Sequence, residues 1–337
     1  MFDQIVNRSG YRRQAIRRLS MAFLLLAACA SSPSALPRAA AAAGAAEPGV
    51  DSMITQMQAN AGRTFEQPTG VTFDRETGEI VVANTGMNRV EFFTRDGNPQ
   101  GYFVHRITDA DGQEQDGLPR YVAVMAGGNL LVVDAFAPYI DVCDYRGRSL
   151  DRITLPAPDA DLAAGGGPGA MCVAPDGRIF VASRGREGRV HVLSPEGRWL
   201  KTWGESGREP GKLSAIAGLA VAPNGEVAVA CVLTELGVQI FDAEGKYLRG
   251  FGVHDLGPGK FSVPSGIVIS PDSRLWVSDM VRHNVQVFDD RGELLGILGG
   301  GEGSGAMLYP SALASDGKGL FATVETGSKL LRLMWVH

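Results

Sequence analysis

From Gln67 onward the chain alternates short apolar runs with small clusters of Asp, Asn, Pro, Ser and Gly. The clearest stretch runs Val263-Pro264-Ser265-Gly266-Ile267-Val268-Ile269, then Leu275-Trp276-Val277-Ser278-Asp279, then Val285-Gln286-Val287-Phe288, and after the turn Asp289-Asp290-Arg291-Gly292 it ends on Leu294-Leu295-Gly296-Ile297-Leu298. Apolar runs this short, bounded by residues that favour turns, predict four β-strands rather than helices. The order recurs. Pro68-Thr69-Gly70-Val71 leads to Ile80-Val81-Val82-Ala83-Asn84 and Arg89-Val90-Glu91-Phe92. Leu118-Pro119 leads to Val132-Val133-Asp134 and Ile140-Asp141-Val142-Cys143. Further copies hold Ala174-Pro175-Asp176-Gly177 with Val190-His191-Val192, Ala222-Pro223-Asn224-Gly225 with Val238-Gln239-Ile240-Phe241, and Tyr309-Pro310-Ser311-Ala312 with Leu320-Phe321-Ala322.

Aligning the first run of each copy matches Gly70, Tyr121, Ala170, Gly218, Gly266 and Ala312, at spacings of 51, 49, 48, 48 and 46 residues. A near-constant period marks a repeat architecture. A four-stranded antiparallel sheet cannot bury both faces alone, and a ring of such sheets can. The predicted fold is therefore all-β: a six-bladed β-propeller of four-stranded antiparallel blades. Gly or Ala at five of the six aligned places suits strands crowded round an axis; Tyr121 departs from this and is expected to line or plug the tunnel. The sixth copy has three strands, and Asp51-Ser52-Met53-Ile54-Thr55-Gln56-Met57 is expected to supply its fourth.

Pro-x-Gly-Val, Pro-Asp-Gly-Arg-Ile-Phe-Val-Ala, Asn-Arg-Val and Val-Phe-Asp-x-x-Gly resemble the NHL repeat across residues 51–337. The match is uneven: the second copy lacks the Asp-Gly turn, and the fourth has Cys231-Val232-Leu233 where Asp or Asn would follow the second strand. The resemblance implies that the loops after each second strand and each outer strand share one face, and that partners bind there.

The first residues are different in kind. Arg8, Arg12, Arg13, Arg17 and Arg18 precede an apolar run from Leu19 to Ala28, the pattern of a signal peptide, too short to cross a bilayer as a helix. Leu26-Ala27-Ala28-Cys29 resembles the lipobox of bacterial lipoproteins, which implies lipidation at Cys29, and Ala30 after it favours the outer membrane. Residues 29–50, rich in Ala, Ser and Pro, are expected to be a tether with no core of its own. The chain carries 32 basic and 37 acidic side chains, and residues 1–28 hold five of the former and one of the latter, so the remainder stands at −9. A body this acidic argues against nucleic acid as a partner. Cys143, Cys172 and Cys231 each lie in an apolar run and are expected to be buried, reduced thiols.

Candidate chemistry gathers on the predicted partner face. Asn84, Asp134, Ser183, Asp279 and Glu325 follow the second strands. Asn84, Asp134, Asp279 and Glu325 are the oxygen donors expected at the tunnel mouth if Ca²⁺ or another divalent metal is held there; metal-dependent lactonases on six-bladed propellers use a comparable site. The competing expectation is that these residues accept backbone hydrogen bonds in their turns. Tyr121, Arg184, Arg186, Arg189, His254 and His283 are the other candidates for the partner face, and the histidines, His105 among them, show no metal-ligand spacing and are expected on the surface. Asp109 to Asp116 is expected to be a solvated acidic loop, and the Arg184–Arg189 spot a solvated basic one. The functional expectation is a membrane-tethered scaffold that docks an envelope protein, peptide or glycan; the alternative is a lactonase-like, metal-dependent hydrolase or lyase at the tunnel mouth.

Overall fold

A computed structural model of the chain describes residues 52–57, 59, 62, 64–109, 112–156, 167–299, 307–326 and 328–335. The expected signal peptide, Cys29 and the expected tether lie outside the described residues.

The strands begin with β1 (Ser52–Met57). Blade one is β2 (Pro68–Asp74), β3 (Glu79–Asn84), β4 (Arg89–Thr94) and β5 (Pro99–Val104), followed by a hairpin of β6 (Arg106–Thr108) and β7 (Glu114–Asp116). Blade two is β8 (Pro119–Val124), β9 (Leu130–Asp134), β10 (Tyr139–Cys143) and β11 (Ser149–Thr154). Blade three is β12 (Pro168–Val173), β13 (Ile179–Ser183), β14 (Val190–Leu193) and β15 (Trp199–Trp203). Blade four is β16 (Ile216–Val221), β17 (Val227–Cys231), β18 (Leu236–Phe241) and β19 (Tyr247–Val253). Blade five is β20 (Pro264–Ile269), β21 (Leu275–Asp279), β22 (Asn284–Phe288) and β23 (Leu294–Gly299). Blade six is β24 (Pro310–Ser315), β25 (Leu320–Val324) and β26 (Lys329–Trp335), with β1 antiparallel to β26 from Ser52 opposite Trp335 to Met57 opposite Leu330. All six sheets are four-stranded and antiparallel, and their innermost strands adjoin in a closed ring, β24 lying against β2.

Six apolar cores fill the six seams between blades. Val82, Phe93, Phe321 and Leu330 join blades six and one. Val81, Val90, Val122 and Leu130 join one and two. Leu131, Ile140, Ile179 and Val181 join two and three, and the remaining three seams are filled alike. Each fully buried Phe, Ile or Leu stabilises the fold by roughly 1.5–3 kcal/mol. Because every blade has a core on each face, both sets of alternating side chains along the second strands are buried, while outer strands such as β5 and β11 stay largely exposed.

The aligned small residues are where the innermost strands touch. A Cβ on Gly70 would lie 2.5 Å from the Arg120 carbonyl and 3.1 Å from Tyr121 Cα, and one on Gly266 would lie 2.6 Å from the Ser311 carbonyl. A bulge opens the register at the start of each innermost strand, and in three blades the bulged residue is a hydroxyl that donates to the next blade: Thr69 to Arg120 O, Ser265 to Pro310 O and Ser311 to Thr69 O.

A second device fixes the connectors. Gln239 and Gln286 sit buried mid-way along β18 and β22. Each accepts from a glycine N–H of the incoming connector (Gly211, 2.7 Å; Gly259, 2.9 Å) and donates to a lysine carbonyl (Lys212, 2.7 Å; Lys260, 2.8 Å). These amides satisfy loop groups that burial would otherwise strand.

Candidate functional site at the tunnel mouth

The residues after the second strands occupy equivalent places, and the fold uses them heavily. Asp279 accepts from Ser262 N–H (2.6 Å), Val263 N–H (3.2 Å), Val281 N–H (3.1 Å) and Arg282 N–H (3.0 Å). Asn84 accepts from Glu66 N–H and donates to Glu91 (2.7 Å). Asp134 takes Phe136 N–H on one oxygen (2.8 Å). Ser183 pairs with His191 Nε2 (3.0 Å), and Glu325 is half-buried after β25. The donors of Asn84 and Asp279 are thus committed to turns, and Asp134, Asp279 and Glu325 form no cluster with ligand-like separations among the described residues. As placed, this set does not fit one shared ion, and no chemistry is routed through it.

The basic spot is a staple rather than a solvated loop. Arg184 donates to the carbonyls of Ala135 and Asp134 in blade two (both 2.7 Å), with longer bonds to Pro168 and Ala137. Arg189 is bonded to the Gly204 carbonyl, and Arg186 is exposed. The acidic segment is also structured: Glu114–Asp116 pairs with Arg106–Thr108, and Asp109 accepts from Gln113 N–H (2.8 Å).

Beside Arg184 stands Arg120, the second residue of β8, half-buried at the end of the tunnel where the loops after the second strands gather. Burial lowers the Arg184 guanidinium from its ordinary value, and the positive charge of Arg120 adds to that, against Tyr121 and Asp134. Arg120 Nε is buried with no hydrogen-bond partner, and no carboxylate lies within ion-pair distance of Arg120 among the described residues. Tyr121 follows, packed on the cores of two successive seams. One unpaired guanidinium, with the stapled cation Arg184 and a phenol beside it, suits an anion or developing negative charge. The repeat alignment singled out Tyr121 and missed Arg120 next to it; the signal was a cation at the bulge where three other blades carry Thr or Ser and two carry Gly or Ala.

Among the described histidines, none is fully on the surface. His105 and His191 are buried, and His254 and His283 half-buried. His283 Nδ1 accepts from Tyr309 N–H (3.1 Å), and His254 Nε2 has no partner, burial holding its imidazole below the ordinary value. Burial, with Arg189 nearby, pulls His191 from 6.5 down to about 4, while its nitrogens meet Ser183 and Thr202. The folded state then refuses a proton that the unfolded chain accepts below pH 6.5, so the neutral form stabilises fully above that pH and the gain is lost as pH falls toward 4. Between these limits stability should drop by up to about 3 kcal/mol. Urea unfolding at a series of pH values checks this, and His191→Gln, the residue that blades four and five use there, should flatten the dependence.

The three described cysteines are free thiols, Cys143 and Cys231 buried and Cys172 half-buried. On the opposite face an open cleft between blades four and five is lined by Glu226, Arg249, Asp290 and Arg291. Arg249 donates twice to Glu226 (2.9 and 2.7 Å) and once to the Asp290 carbonyl (3.0 Å).

No family model and no curated protein matches the chain. Its fold is similar to virginiamycin B lyase from Staphylococcus aureus, at 14% identity and a TM-score of 0.55, covering 85% of this chain and 100% of that one. A gluconolactonase from Xanthomonas campestris gives 18% identity and 0.56, covering 84% and 98%. A luciferin-regenerating enzyme gives 12% and 0.59, covering 85% and 96%. At these identities the likeness establishes the six-bladed fold.

Proposed function

We propose that the chain is an enzyme of hydrolase or lyase type. Its site is the tunnel mouth at the seam of blades two and three, and its substrate is a small carboxylate- or lactone-bearing molecule. The observation that carries this reading is the unpaired Arg120 guanidinium beside Arg184 and Tyr121. A cation kept partly out of water without a partner costs free energy, which an anionic ligand recovers. In ring opening or elimination, negative charge develops on a carbonyl-derived oxygen, and preorganised guanidinium N–H groups stabilise it most where water is excluded. The similar structures that bear the names of a lyase and a gluconolactonase support this choice of reaction class.

The chain works, on this reading, from an envelope membrane, residues 1–28 directing export and Cys29 carrying the lipid. A docking scaffold is the second reading, favoured by apolar side chains exposed on the same face: Leu256, Val281 and Leu308. Arg282, next to Val281, donates to the carbonyls of Asp255 and Gly257, and His283 meets Tyr309, so these three loops adjoin.

A screen of lactones and of cyclic and linear esters, with wild type and Arg120→Ala, separates the two. The enzyme reading expects turnover by wild type and a fall of about 10²–10³ in kcat/KM in the variant, with the melting temperature kept. Turnover that survives Arg120→Ala takes the site away from this guanidinium, and none on any substrate while an envelope protein still binds favours the scaffold.

A further inference from the structure

Between blades one and two, away from the tunnel mouth, the connector clamp takes another form. Where blades four and five use a glutamine to hold two backbone groups, blade two has Asp141, and what meets it is the imidazole of His105. His105 and Asp134 are each 1% exposed. His105 Nε2 lies 3.6 Å from Asp134 Oδ2, and both atoms are buried without a hydrogen bond. Nδ1 lies 4.0 Å from Asp141 Oδ2. The Cys143 thiol donates to that same oxygen (3.2 Å), while Ser149 holds the other oxygen of Asp141. No Lys or Arg is within 4.0 Å of either carboxylate among the described residues. The hairpin β6–β7 closes over this place: a Cβ on Gly117 would lie 2.3 Å from Asp134 Oδ2, 2.8 Å from His105 Cδ2 and 3.1 Å from Ile107 Cγ2.

Two buried carboxylates and a thiol round one imidazole are costly unless a cation joins them. Donor atoms of His105, Asp141 and Cys143 all lie within 4.8 Å of one another. Ligands on a tetrahedral ion with bonds of ~2.0–2.3 Å sit about 3.3–3.7 Å apart, so the cluster needs to close by only about 1 Å. We propose that this cluster is a buried site for a zinc-class divalent ion, held by His105, Asp141 and Cys143 with one water completing the tetrahedron, and with Asp134 fixing the imidazole from its far nitrogen. Neutral His105 binds through Nδ1 and keeps its Nε2 proton for Asp134, the second partner that metal-bound histidines require. The Cys143 S–H bond gives its proton to solvent as the sulfur–metal bond forms. Thiolate and imidazole together select zinc over calcium or magnesium. The site is closed to substrate, so it stands apart from the reading of the tunnel mouth. Its role is to lock the connector of blade one into blade two.

The test uses the full chain, unfolded with a chelator and refolded with or without one equivalent of Zn²⁺, or of Co²⁺ as an optical probe. The expected result is one ion per chain, a melting temperature raised by several degrees, and a thiolate-to-cobalt charge-transfer band. Cys143→Ser should abolish the band, Cys172→Ser should leave it, and Asp134→Asn should keep it while weakening affinity about 10–100-fold. A band that survives Cys143→Ser, or no stoichiometric ion after refolding, overturns the site. Should Cys143→Ser not refold, Asp141→Asn in a competitive chelator titration serves instead, and unchanged affinity there overturns it equally.

Discussion

Asp279→Ala is expected to be among the most damaging single substitutions in the molecule, costing about 4–5 kcal/mol. The carboxylate is fully buried and takes four backbone N–H groups, two from the connector entering blade five and two from the turn that follows β21. Alanine leaves all four without an acceptor, and each stranded donor costs ~1–3 kcal/mol unless water reaches it. Water entry at the turn relieves part of the sum, which holds the total near the upper end of single-site effects. Asp279→Asn should fall between the two, because its NH₂ group faces donors where an oxygen had been. Chemical denaturation of the three proteins measures the order directly; a cost below about 1 kcal/mol for alanine would mean the turn reorganises around the loss.

Gly266→Ala should cost about 3 kcal/mol by a different route. Its backbone lies outside the left-handed region, so alanine meets no conformational penalty there. The new methyl instead lies 2.6 Å from the Ser311 carbonyl, 2.9 Å from Ala312 Cα and 3.0 Å from Leu313 N. All three are backbone atoms of the next innermost strand, so relief requires moving blade six away from blade five, an overpacking cost of ~1–3 kcal/mol or more. Gly225→Ala is the control with the opposite balance: φ is +87° and nothing lies within 4 Å of the new methyl. It should lose only the ~1–2 kcal/mol of the left-handed backbone. Equal melting temperatures for the two variants would show that the ring yields more easily than its packing implies.

The ring was legible from the sequence because its period is set by turns, and turn residues declare themselves. The aligned Gly70, Gly218 and Gly266 do lie against the neighbouring innermost strand. The site was less legible, for one physical reason. Alternation along a strand normally separates a wet face from a dry one, but in a propeller both faces are dry. His191, expected on the surface, is therefore buried, as are the polar strand residues Gln239, Gln286 and Asp141. Arg184 looked like part of a solvated loop because its acceptors, the carbonyls of blade two, are about 50 residues earlier in the chain. Side chains that serve backbone atoms of another repeat leave no local pattern.

The turns between third and outer strands carry one more regularity. Gly97, Gly147, Gly197, Gly245 and Gly292 all have left-handed backbones, and each abuts an apolar side chain of the blade before: Met57, Phe103, Ile153, Trp203 and Phe251. Met57 belongs to β1, so this strand meets blade one as the other outer strands meet their successors. The ladder from Ser52 to Met57 sets the first described strand against the last, and Ser52 opposite Trp335. In topological terms the described strands run nearly once round a closed loop, with a nick in blade six between β26 and β1. Joining that nick and cutting any other connector would leave the same six seams and the same ladders.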